Sequence, residues 1–370
     1  MGLLDYYRQF EDVDEEELNV ARRERRRREK EVALQQVPDL DLSGTEWPEF
    51  PNSEVVNASI YTARGRVNGY PDRHAARVRR VLAERHEVEP EQIVLGNGAA
   101  ELLQAAALAL LSEGDELVMP WPSYPLYPLM AARAGAKPVA VEHFEDLRSS
   151  VGERTRALVL CNPNDPTGTY LPAEELGTLA VDLPRETNIL VDEALVHFQD
   201  VEPVDSVLRL TDAFPNLIVF RTFSKIYGLS GLRAGYAVGS TAATRTLDAI
   251  APVLGVNALT QAAVDQALKI GGPEVERRRA SVVKERTRLL DELRELPVDV
   301  SPSEANFIWL AADGMSGAEL ANRLAEQGVI VAPGGPLGAE DHIRATIRNS
   351  GATDRLLNAL ERALVDRPAE

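Results

Sequence analysis

The sequence predicts an α/β fold: a large domain with a mostly parallel sheet flanked by helices, and then a smaller C-terminal α/β domain. Three observations predict it. Short apolar runs recur along the middle of the chain, spaced so that a helix fits between them. The stretches between most of them, such as AAELLQAAALALL and PAEELGTLAVDL, are Ala/Leu-rich or amphipathic. The chain has 370 residues, 44% of them hydrophobic, enough for one large core plus a smaller one.

The elements follow in order. Residues 1–37 form a charged N-terminal arm that includes ARRERRRREKE; it reads as a solvated helix or a mobile arm. The alternative, a nucleic-acid patch, is disfavoured by interleaved glutamates and the lack of partnering aromatics. From Pro38 to Pro51 the chain is punctuated by Pro and Gly, as in an extended lead-in to the large domain, assigned to residues 38–255. Candidate strands are QIVLG, ELVMP, KPVAV, ALVLC, NILVD, LIVF and AGYAVG. Their alternation with helical patterns argues for parallel pairing, which places chemistry at the carboxyl ends of the strands. From Asn257 a helical stretch leads through VVKERTRLLDELREL to EANFIWL, a helix at GAELANRLAEQ, and GVIVAPGG. Residues 256–370 are therefore assigned to the smaller domain.

Composition excludes several classes. Aromatics make up 5% and the net charge is −18, which disfavours base stacking and repels phosphate backbones and anionic membranes. Lone Cys161 forbids an internal disulfide or a multi-cysteine zinc cluster, and no metal site is expected. No stretch approaches the ~20 apolar residues a bilayer span needs. The N-terminus lacks a basic start followed by an apolar core, so a cytoplasmic location is expected.

Lysine is scarce, at positions 30, 137, 225, 269 and 284 only. Lys225 alone follows an apolar strand (LIVFRTF) and precedes a small-residue turn (IYGLSGLRAG). A lysine there either snorkels to the surface or is a desolvated amine whose lowered pKa makes it a nucleophile.

The segment RTFSKIYGLSGLRAGYAVG resembles the cofactor-anchoring segment of fold-type I aminotransferases, most closely the histidinol-phosphate aminotransferase branch. The resemblance covers roughly residues 38–365. It implies the fold of that enzyme class, pyridoxal 5'-phosphate as cofactor, Lys225 as its covalent anchor, and Thr222, Ser224 and Arg233 around its phosphate. LGNGAAELL adds backbone N–H groups of Gly98, Ala99 and Ala100 at a helix start, which suit a phosphate, although such a turn is often only a tight turn. In WPSYPLY the resemblance implies that Tyr124 stacks on the pyridine ring; by itself the segment also reads as a rigid proline loop with a core tyrosine. In NILVDEA, Asp192 would pair with the ring nitrogen and keep the ring an electron sink, Ala194 would pack on its face, and Glu193 would make structural hydrogen bonds. Tyr70 in RVNGYPD would reach across a homodimer to the neighbour's phosphate. Arg344 in DHIRATI would bind the substrate carboxylate or phosphate, with Asn306 and Gly44 close by.

The sequence departs from the family in three places. Asp165 in CNPNDPTGT replaces the usual asparagine at the cofactor's phenolic oxygen, leaving Asn164 or a water to substitute. The tyrosine that often serves the same oxygen is replaced by Leu195 or Val196. Ala332 stands where histidinol-phosphate enzymes commonly carry an arginine. The expected function is transfer of an amino group between an amino acid, or an amino-alcohol phosphate, and a 2-oxo acid. Histidinol-phosphate transamination is the alternative, as is a decarboxylase or lyase on the same scaffold resembling phosphothreonine decarboxylase. A non-catalytic cofactor-binding protein is the remote one.

Overall fold

The computed structural model describes residues 38–365; the charged arm expected at 1–37 lies outside them. All seven expected strands are present, as β1 (Ile93–Gly96), β2 (Glu116–Pro120), β3 (Lys137–Val141), β4 (Thr155–Cys161), β5 (Asn188–Asp192), β6 (Leu217–Thr222) and β7 (Gly235–Gly239). They form one sheet in the order β1-β7-β6-β5-β4-β2-β3. Neighbours from β6 to β3 pair in parallel, and β7 runs antiparallel to both β1 and β6.

The central strands read as continuous apolar runs because both faces are covered. Leu158 and Leu160 pack into one cluster while Ala157, Val159 and Cys161 pack into another, as the two-residue period of a strand requires. Leu217, Ile218, Val219 and Phe220 are all buried, each contributing about 1.5–3 kcal/mol of transfer free energy. The Ala/Leu-rich helix α1 (Ala99–Leu110) buries Leu102, Leu103, Ala106 and Ala107 on one stripe against the same cluster.

The smaller sheet consists of β8 (Val298–Val300), β9 (Phe307–Ala312), β10 (Ala332–Pro333) and β11 (His342–Thr346), all antiparallel in the order β10-β11-β9-β8. The boundary expected at residue 255 is not one of packing. Helix α2 (Ala258–Ile270) buries Ala263, Val264, Ala267 and Leu268 with Ile93, Leu95 and Tyr236 of the large sheet. Its apolar stripe matches that face, so the chain leaves the large sheet only after this helix. Among the described residues, no helix is long and apolar enough to cross a membrane.

Candidate active site

Parallel register aligns the carboxyl ends of the central strands. Cys161 at the end of β4 is level with Asp192 on β5, and Asp192 with Phe220 on β6. The loop after β4, the acid ending β5 and Thr222 ending β6 therefore meet at one edge of the sheet. Asp192 is buried; its Oδ2 accepts from the Tyr127 hydroxyl at 3.0 Å and its Oδ1 from the Ala194 N–H at 3.1 Å. Burial raises its carboxyl to about 6, against the lowering pull of those two donors and of Lys225.

Glu193 points to the opposite face. It accepts from Arg221 Nε at 2.8 Å, and Arg221 in turn donates to Asp205 at 2.6 Å and to the Val204 carbonyl at 2.7 Å. Asp205 meets His86 Nδ1 at 2.9 Å, and His86 Nε2 meets the Tyr236 hydroxyl at 3.0 Å. Glu193 thus makes the structural hydrogen bonds expected of it, in a charged network beneath the site.

Lys225, just past β6, donates from Nζ to Thr45 Oγ1. Burial lowers the affinity of its amine for a proton, the Asp165 carboxylate raises it and the Arg344 guanidinium lowers it again. The net shift is downward, the direction a nucleophilic amine needs.

Beside it lies a cradle of small and cationic groups. The Thr222 hydroxyl is 3.0 Å from Ser224 Oγ, which accepts from Arg233 Nη1 at 3.3 Å. Arg233 sits at φ +51°, an uncommon conformation for a non-glycine residue. Gly98 sits at φ +94° and packs so close to Arg233 that a Cβ would lie 2.4 Å from its Nη2. No side chain caps the first turn of α1, so the N-terminal N–H groups at Ala99 and Ala100 can serve an anion. Hydroxyls, a guanidinium and an uncapped helix start fit a phosphate. Tyr124, 37% exposed, stands edge-on to Tyr127, their ring centres 5.8 Å apart.

Arg344 lies on β11, opposite Trp309 and Ala332. Its Nη1 donates to Asp165 and its Nη2 to the Ser43 carbonyl at 2.9 Å. The lead-in segment is bound to this region: Asn306 Nδ2 donates to the Thr45 carbonyl at 3.0 Å, and Thr346 Oγ1 to the Gly44 carbonyl at 2.7 Å.

One expectation changes. The Asn164 amide is already engaged, donating to the Pro122 carbonyl at 3.0 Å and to Thr167 at 2.8 Å and accepting from Ser123 at 2.7 Å. It is therefore fixed as loop structure and not offered to a ligand. Tyr70, expected to reach a partner's site and not that of its own chain, is 89% exposed within the single chain. Thr45, Ser43 and Tyr127 were not foreseen. Only Tyr127 had a local signal, since WPSYPLY places it one helical turn beyond Tyr124.

The family model for class I and II aminotransferases matches residues 39–362. The chain belongs to that family. Its members use pyridoxal phosphate, and the lysine, acid and phosphate cradle of this aminotransferase fit that group. An aromatic amino acid aminotransferase of Corynebacterium efficiens is 37% identical over 87% of this chain and 92% of its own length. A histidinol-phosphate aminotransferase of Carboxydothermus hydrogenoformans is 35% identical over 91% and 93%. Among solved structures, histidinol-phosphate aminotransferase of Sinorhizobium meliloti in complex with pyridoxal 5'-phosphate superposes with a TM-score of 0.79. The two are 25% identical, covering 90% of this chain and 93% of the other.

Proposed function

We propose that the enzyme transfers the amino group of an ordinary α-amino acid, aromatic or apolar in preference, to a 2-oxo acid, and that it does so as a cytoplasmic homodimer. When bound, the cofactor supplies an electron sink for charge developing at the substrate Cα. Lys225 is the covalent anchor and then moves the proton to and from the substrate Cα. Thr222, Ser224, Arg233 and the N–H groups around Gly98, Ala99 and Ala100 hold the phosphate. Asp192 keeps the ring nitrogen protonated, Tyr124 covers the ring, Ala194 packs against it, and Arg344 takes the substrate carboxylate, with Gly44 and Asn306 shaping the wall.

The observation that carries the substrate class is the strand pairing that sets Ala332 opposite Arg344. A planar carboxylate is satisfied by one guanidinium, whereas a phosphate dianion recruits more donors, and this position offers only a methyl group. The name of the Corynebacterium efficiens relative points the same way. The expected result is a kcat/KM for phenylalanine at least roughly tenfold above that for histidinol phosphate, the value of one missing charged hydrogen bond. The check is steady-state kinetics with both donors, and a clear win for histidinol phosphate would overturn the reading.

The homodimer reading is supported by exposed apolar side chains. Phe50, Ile60, Tyr61, Val67 and Tyr70 are all exposed in the single chain, and Tyr61 and Tyr70 line one groove. With Tyr70 completing the partner's phosphate site, Tyr70→Phe should loosen cofactor retention by about tenfold. Mixed with Lys225→Ala, it should regain activity, because each heterodimer then holds one sound site. A fully active monomer by light scattering would rule the arrangement out.

A further inference from the structure

Asp165 and Arg344 meet across the site from distant parts of the chain, one in the loop after β4 and the other on β11. Both are nearly enclosed, at 7% and 9% exposure. Within the pair, Arg344 Nη1 donates to the carboxylate, while Nη2 is held by the Ser43 carbonyl at 2.9 Å. The guanidinium carbon lies 5.4 Å from the Phe307 ring centre. The buried Nε has no hydrogen-bond partner.

An arginine whose charge is balanced from within receives anions differently from one with a free fork. An incoming carboxylate meets a like charge already seated on the guanidinium, in surroundings that screen poorly. It finds only part of the fork vacant, including the unpartnered Nε, in place of a full bidentate edge. An asparagine in place of Asp165 would put no such charge there.

We infer that Asp165 is a resident counter-ion of Arg344 which a substrate carboxylate must displace, so that Asp165 sets how tightly and how selectively the site takes carboxylates. The inference rests on the reading of Arg344 as the substrate-carboxylate residue. The arrangement lowers affinity for any carboxylate that brings too little further binding of its own, and so favours substrates with a large side chain to bury over small carboxylates.

The test uses the holoenzyme and 3-phenylpropionate, a carboxylate with no amino group to transfer, titrated by calorimetry. Its neutral analogue 3-phenylpropionamide is the control. Asp165→Asn should tighten 3-phenylpropionate by on the order of tenfold to a hundredfold and leave the amide unchanged. It should also lower KM for phenylalanine by a larger factor than it changes kcat. Asp165→Ser, which also removes the charge, should act in the same direction and serves if the asparagine variant does not fold. Unchanged or weaker carboxylate binding in the variants overturns the inference, as does equal tightening of the amide. Failure of every amino donor to alter the cofactor absorbance of the wild type would sink the aminotransferase reading instead, and the calorimetric comparison would still decide the role of Asp165.

Discussion

Lys225→Ala is expected to lower turnover by roughly 10⁴-fold or more, the upper end of what a positioned general acid–base contributes, because the same amine is also the nucleophile. The purified variant should lose the yellow colour of the wild type. Among the described residues, no other lysine is placed to take over. Lys137 is exposed on a sheet edge, Lys269 is paired with Asp265 at 2.7 Å, and Lys284 lies on an outward helix face. Lys225 is half-buried beside small polar groups with its amine on Thr45. Borohydride reduction of the wild type followed by peptide mass mapping checks the assignment directly. Label on Lys137 or Lys269, with Lys225 unmodified, would remove the basis of the mechanism.

The second large effect is on stability. Arg221→Met should destabilise the fold by about 3–5 kcal/mol, the cost of removing one partner from a buried ionic network. Arg221 is 1% exposed and Glu193 fully buried, and their nitrogen and oxygen atoms are 2.7 Å apart. Burial already pushes the Glu193 carboxyl up to about 7 against the pull of Arg221, so the unpaired acid must take up a proton or unfold the strand ends. Replacing both residues, as Arg221→Met with Glu193→Leu, should recover much of the loss, since apolar groups of similar size tolerate the site better than one stranded charge. Thermal unfolding of the two variants side by side measures this. A loss of under about 1 kcal/mol for the single substitution would mean that the network is looser than its geometry implies.

The central strands of the large sheet were legible in the sequence because strands buried on both faces must be apolar throughout. The lysine, the acid at the end of β5 and the hydroxyls beside Arg233 were legible because each sits in a short local motif. The domain boundary was not. Periodicity reveals that α2 has an apolar stripe, but not which sheet the stripe covers, and α2 packs with Ile93 and Tyr236. Contacts between distant segments were equally hidden. Thr45 reaches Lys225 across 180 positions and Arg344 reaches Asp165 across 179. The reading of CNPNDPTGT weighed Asn164 and Asp165 against the cofactor alone, since the arginine that pairs with Asp165 comes from another sheet.

The contact between Gly98 and Arg233 divides the site into a part that can be redesigned and a part that cannot. No residue with a Cβ fits at Gly98 while the guanidinium stays where it is, and its φ of +94° penalises any replacement independently. Arg233 is itself held in the left-handed region by the turn around it. On the proposed reading, anchoring of the phosphate would therefore be written into backbone geometry, where single substitutions only do damage. Asp165, Ala332 and Arg344, in contrast, meet through side chains carried on separate segments and not through one fixed turn. Engineering a new amino donor should begin at those three positions, and a library that randomises the glycine-rich turn should return mostly proteins that no longer retain the cofactor.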